Sequence, residues 1–122
     1  GLINIRQAAA INHILRGEEA DGMLATLNHT AAATLATPAI MATDGDGMGT
    51  TARLHYFTAS ADWYITELDR SSGEAFGLCD LGMGFPELGY VYLAEVIACG
   101  AELDLHFTPR PLRDLAHELN HS

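Results

Sequence analysis

Lysine is absent, and six arginines face sixteen aspartates and glutamates, a formal charge of −10 with neutral histidines. The sequence pI is about 4.7. A phosphate backbone is held by clustered cationic side chains, so direct nucleic-acid binding is disfavoured, and a basic protein surface is the complementary partner. Cysteine is scarce as well. Cys79 and Cys99, the two thiols, cannot build a disulfide framework and lack metal-site spacing, which fits a reducing compartment. Both are expected to be small buried apolar residues. No apolar run approaches the roughly 20 residues of a membrane span. No basic-then-apolar leader precedes the first helix-like segment, so the expected location is the cytoplasm. Disorder is excluded by 48% apolar and 18% charged residues, and 122 residues suffice for one core but not two.

Within that single domain the chain divides into a helical segment over 1–42, a Gly/Asp-rich loop over 43–51 and a core over 52–122. Ile11, Ile14 and Leu15 at helical spacing, with Gly17 as a stop, predict a first helix between Leu2 and Arg16. Asp21 reads as the N-cap of a second helix, which carries Leu24, Leu27, Ala31 and Leu35 and ends before Pro38. Those leucines are expected to pack on a sheet. The loop, T-D-G-D-G-M-G-T, resembles the opening of a Ca²⁺ site, but His55 stands where the twelfth-position Glu belongs, so it reads as a flexible acidic turn. Aromatic and β-branched residues then predict strands at Arg53 to Phe57, Asp62 to Leu68, Ala75 to Asp80, Leu88 to Tyr92 and Glu102 to Phe107. Leu112, Leu115, Ala116 and Leu119 form one face of a last helix whose first turn opens with Pro109 and Pro111. The expected fold is α+β: an antiparallel sheet of about five strands with helices packed on one side.

Four segments carry a resemblance: L-H-Y-F-T (54–58), W-Y-I-T-E-L-D (63–69), F-G-L-C-D-L-G-M-G-F-P-E-L-G-Y-V (76–91) and E-L-D-L-H-F-T-P-R-P-L (102–112). Through them the run from His55 to Pro111 is similar to a bacterial family catalogued as a domain of unknown function, found mostly on plasmids, conjugative elements and phages. The resemblance implies a small cytoplasmic accessory protein of mobile DNA. It carries over no catalytic residue, and the Ala-rich N-terminal third departs from the family pattern.

The third segment has its own physical reading. Gly77, Gly82, Gly84 and Gly89 punctuate two strands joined by a tight excursion, which Pro86 stiffens. Without Lys and beside Asp80 and Glu87 it is no phosphate cradle. Either those carboxylates cap backbone donors of the excursion, or Asp80, Phe85, Glu87 and Tyr90 form an acidic and aromatic lip that docks a partner.

Chemistry is spelled most sharply at the end, where His117, Glu118 and His121 read H-E-x-x-H. On a helix both imidazoles share a face and could bind zinc while Glu118 polarises its water. A third ligand would come from His13, His29, His55 or His106. The alternative is the solvated end of an amphipathic helix, its histidines complementing the dipole. Asp104 and His106, two apart on the last strand, are expected on one face, and Trp63 is expected in the sheet core. No G-x-S-x-G elbow anchors serine chemistry. The expected function is a non-enzymatic interaction protein of a mobile genetic element, its acidic surface occupying a basic host or element-encoded protein. A counter-defence inhibitor of restriction or CRISPR-type machinery is the concrete form, with no cofactor. The alternative is a zinc-dependent hydrolase or metallopeptidase built on Glu118, His117 and His121. A third reading, a subunit of a larger complex, requires an exposed apolar patch such as the Leu24, Leu27 and Leu35 face.

Overall fold

The computed structural model describes residues 2–121, the last three of them (119–121) through their backbone alone. Two helices, α1 (Ile5–Leu15) and α2 (Ala20–Ala36), precede a single turn of 3₁₀ helix at Gly47–Gly49. Strands β1 (Thr51–Ala52), β2 (Leu54–Phe57), β3 (Asp62–Leu68), β4 (Glu74–Asp80) and β5 (Glu87–Tyr92) follow, then α3 (Leu93–Ala98), β6 (Glu102–Leu103), β7 (Arg110–Pro111) and α4 (Leu112–His121). The fold is α+β. An antiparallel sheet of five strands runs in the order β5-β4-β3-β2-β6, and β1 pairs with β7 in a small second sheet.

Period-two alternation sends Leu54, Tyr56, Trp63 and Ile65 to one sheet face, where Leu93 and Val96 of α3 and Ala33 of α2 pack on them. Tyr64 and Leu78, cross-strand neighbours on the other face, are covered by Leu112 and Leu115 of α4. The two-residue strands brace that helix: Thr51 pairs with Pro111, and the Leu112 amide donates to the Thr50 carbonyl at 2.9 Å. Among the described residues no helix is long and apolar enough to cross a membrane.

The N-terminal helices attach through polar side chains. Asn4 caps α1, its side-chain oxygen accepting from the Gln7 amide at 2.7 Å. The Gln7 side chain then donates to the Leu103 carbonyl at 2.7 Å and accepts from the Leu103 amide at 2.9 Å, so a side-chain amide occupies the outer edge of β6. Helix α2 differs from expectation. It starts at Ala20 with Glu19 at the cap position and no side-chain cap bond, so Asp21 lies inside the first turn, beside the positive end of the helix dipole. Its leucines do not all pack on the sheet either: Leu24 is 49% and Leu35 68% exposed. The inward face carries Ala33, Thr34 and Thr37 instead. The hydroxyls of Thr34 and Thr37 bond back to the carbonyls of Thr30 and Ala33, which lets threonine take a core position at little polar cost.

Three other expectations change. The last strand stops at Leu103 rather than Phe107, Pro111 belongs to β7 rather than to the first turn of α4, and Cys99 is exposed at the end of α3. Cys79 is only half-buried.

One glycine is a packing necessity. A Cβ on Gly77 would lie 1.9 Å from the Tyr64 carbonyl oxygen on the neighbouring strand, beside the register shift between Ile65 and Glu67. Gly89, opposite it on β5, meets nothing within 4 Å. Gly77→Ala is therefore expected to cost about 3 kcal/mol or more, the range of overpacked backbone contacts. Gly89→Ala should stay within about 0.5 kcal/mol, as at open surface positions. Urea denaturation of the two variants measures the contrast, and equal losses would refute it.

Candidate functional site

Helix α4 places the H-E-x-x-H text at its exposed end. There the Glu118 carboxylate faces Arg110 with both oxygens, at 2.9 and 2.5 Å. This fork holds its carboxyl below the usual carboxylate range; Arg110 hydrogen bonding is the main cause, opposed by desolvation and aided by the Arg110 and His117 charges. A zinc-bound water polarised by Glu118 would require that carboxylate to leave Arg110. The His121 side chain lies outside the described residues. Among the described residues no group of three or more His, Cys, Asp or Glu is arranged to hold a metal ion.

The excursion between β4 and β5 splits the two readings of its acids. Asp80 caps it, its carboxylate accepting from the Gly82 amide at 3.0 Å. Gly82 takes φ 76°, where its missing side chain leaves room for the Ser60 carbonyl. Glu87 stands exposed at the start of β5. Between them Met83 is 84% and Phe85 82% exposed, with Leu81 and Tyr90 also more than half exposed. Cys79, Leu81, Met83, Phe85 and Glu87 line a groove of about 190 Å³. Tyr90 lies on the opposite side of the β5 ribbon from Glu87 by parity and approaches the Met41 sulfur with its hydroxyl, 3.4 Å away.

That contact leads to the Gly/Asp loop, which is tied to the core. Glu67, 3% exposed on β3, accepts from the amides of Met41 and Thr43 at 2.8 Å each and from the Thr43 hydroxyl at 2.5 Å. The bonds hold Met41 at φ 73°, an unusual backbone position for a side-chain-bearing residue. The loop, Thr66, Phe76, Leu88, Tyr90 and Leu112 enclose a cleft of about 260 Å³. Burial raises the Glu67 carboxyl, but the Thr43 hydroxyl and the two amides outweigh it and leave it below the ordinary value.

A third constellation was invisible along the chain. The His55 ring stands between two carboxylates, Nε2 2.6 Å from Asp62 and Nδ1 3.0 Å from Asp104. It stacks on Tyr64 at 4.4 Å with the planes 9° apart, and Phe57 and Phe107 flank it. Both ring nitrogens are thus within hydrogen-bond distance of a carboxylate oxygen, which fixes the ring between β2, β3 and the segment after β6. Tyr64 feels the same field: desolvation first, then Asp62, Glu118, Asp104 and Asp80, raise its phenol to about 12. His106 does not share a strand face with Asp104; its backbone amide donates to the Asp104 carboxylate at 3.0 Å instead. With both nitrogens engaged, His55 ties β2 to β3 and to the segment after β6, and is not open for metal ligation or base chemistry without losing a bond.

Residues 20–121 match the family described as a protein of unknown function (DUF2958). The chain belongs to DUF2958. The match takes in α2 and the Gly/Asp loop, so the departure expected of the whole N-terminal third does not hold for residues 20–42. Neither the curated proteins nor the solved structures contain a match. Of the DUF2958 residues brought together here, Glu67 and Tyr64 come from the segment W-Y-I-T-E-L-D, and Asp104 from E-L-D-L-H-F. Proximity in space, not spacing in sequence, reveals their roles.

Two outcomes follow for these side chains. Glu67 has a lowered folded-state value, so its contribution is present above its unfolded value of about 4.5 and lost as pH falls through the lower folded value. Glu67→Gln should cost about 2 kcal/mol near neutral pH, and less in acid. Urea titrations across that window check the convergence. His55→Ala leaves Asp62 and Asp104 without their shared partner and should cost about 2 kcal/mol, tempered by their partial exposure. Adding Asp104→Asn should recover part of the loss; a double-mutant cycle without coupling would contradict the clamp.

Proposed function

We propose that this DUF2958 protein is a non-enzymatic interaction module whose β4–β5 hairpin docks on a basic protein surface. The observation that carries this reading is the exposure of Met83 and Phe85, each above 80%, at the tip of an acidic hairpin. Large apolar side chains held in water by a glycine- and proline-shaped excursion gain free energy when a partner covers them. Charge supplies the complementary preference. The hairpin from Glu74 to Tyr92 carries no Lys or Arg, but three carboxylates: Glu74, Asp80 and Glu87. Such a surface speeds encounter with a cationic partner and disfavours nucleic acid.

A protein that itself binds nucleic acid presents the basic surface this chemistry fits. An inhibitor of restriction or CRISPR-type machinery, carried by a mobile element, is the form in which we place the function. It is supported by the acidity and by the apolar lip, and it needs no cofactor. The zinc-hydrolase alternative finds its would-be catalytic Glu118 forked onto Arg110.

Affinity capture on immobilised protein, comparing the natural chain with a Met83→Ser, Phe85→Ser double variant, tests the reading. A captured basic protein should be lost with the variant. It should also be released as salt rises from about 0.1 to about 1 M, where the screening length shrinks from about 10 to about 3 Å. Retention by the variant would remove the lip from the function, and retention in high salt would remove the charge.

A further inference from the structure

The two edges of the main sheet are treated differently. At one end β6 is two residues long and its outer backbone groups are taken by the Gln7 side chain. At the other end β5 is six residues long, pairs with β4 on one side and, among the described residues, has no strand on the other. Proteins blunt such edges with lysine, proline, a bulge or a covering element. Within β5 there is no lysine, proline or bulge: its sequence is E-L-G-Y-V-Y, with Glu87 at its start as its charge, and its register against β4 runs unbroken from Glu74↔Tyr92 to Cys79↔Glu87.

The side chains along this edge are apolar and half exposed. Leu88, Tyr90 and Tyr92 share one face by period-two alternation and are 43%, 53% and 48% exposed. Leu88 and Tyr90 also line the 260 Å³ cleft beside the Glu67-tied loop, where Asp44 lies. An added strand would find backbone partners along β5, a place for its apolar side chains on the Leu88–Tyr90–Tyr92 stripe, and acid at Glu87 and Asp44.

We infer that β5 is a strand-addition edge, taking an extended segment of a partner protein in which basic residues alternate with apolar ones. This rests on the protein-binding reading above and gives it a mode: main-chain hydrogen bonds supply affinity, and the stripe and the acids supply selection. Charge decides between a foreign strand and a second copy. Two chains at −10 repel, whereas a segment carrying arginine or lysine is attracted and meets no cation on the hairpin.

The probes are a panel of short synthetic peptides alternating arginine with valine, leucine or tyrosine. Controls carry glutamate for arginine, or backbone N-methyl groups at every second residue, which remove donors and keep the charge. Amide NMR titration of the full chain should show a panel member shifting Leu88 to Tyr92. N-methylation should weaken binding roughly tenfold or more through the lost backbone bonds, and the glutamate peptide should not bind. Leu88→Ser and Tyr90→Ser, both half exposed, should weaken binding while the chain keeps a cooperative urea transition and its dispersed amide spectrum.

Equal binding of the N-methylated peptide would overturn strand addition while leaving a charged and apolar docking surface in place. Shifts confined to Met83 and Phe85 would do the same. Concentration-dependent shifts of the β5 amides without peptide would assign the edge to a second copy and overturn the inference. Failure of every panel member to bind would overturn it too, whereas loss of partner capture in the Met83, Phe85 variant reports on the lip alone.

Discussion

Strand β3 sits at the centre of the sheet and is buried on both faces from Trp63 to Leu68. A strand so placed requires a layer on each side, and most of the remaining structure answers that requirement. On the Trp63 and Ile65 side, α3 and the threonine-bearing face of α2 supply cover. On the Tyr64 side the cover is assembled from short pieces: the first half of α4, the two-stranded β1–β7 clasp and the Gly/Asp loop. Because the second layer is thin, polar anchors hold it. Glu67 grips the loop, and the Arg110–Glu118 fork spans from β7 to the far part of α4. The His55 clamp belongs to the same face, fastening the chain beyond β6 to β2 and β3.

What the sequence made legible is what repeats locally. Alternation with β-branched and aromatic residues places β3 at Asp62–Leu68 without error, and finds β2, β4 and β5 to within a residue. The end of α2 before Pro38 follows from proline chemistry alone. Glu102 to Phe107 alternates as well as any strand, yet the ladder ends at Leu103. Asp104 instead turns its carboxylate to His55 and to the His106 amide, a local side-chain alternative to sheet pairing. β1 and β7 are too short to carry a pattern. The outward leucines of α2 mislead because apolarity normally points inward, and here threonines with self-satisfied hydroxyls take the inner positions.

The candidate sites divide along the same line. Phe85 and Glu87, expected in a docking lip, lie in one punctuated segment, and the structure leaves both exposed. Asp80, from the same segment, does the capping that was its other reading. The His55 clamp could not be read: its acids lie seven and forty-nine positions away, and the pairing exists only after β2, β3 and β6 align. Glu67 was not singled out either. A carboxylate inside an apolar strand pattern is the signal that could have found it, since a buried acid requires hydrogen-bond donors from elsewhere in the chain.

The missing lysine connects these observations. Lysine is a common guard of open sheet edges, and a protein without it must prevent unwanted pairing otherwise. This chain closes β6 with the Gln7 amide, a solution that costs one side chain and leaves no free edge. At β5, among the described residues, no strand covers the edge, and in the inference drawn above the general acidity of the chain takes the guarding role, because like copies repel before their edges meet. Repulsion of that kind discriminates by sign. It protects against other acidic chains and against itself, and it turns to attraction for a cationic strand. An edge guarded only by charge is therefore selective in a way that an edge blocked by proline or a bulge is not.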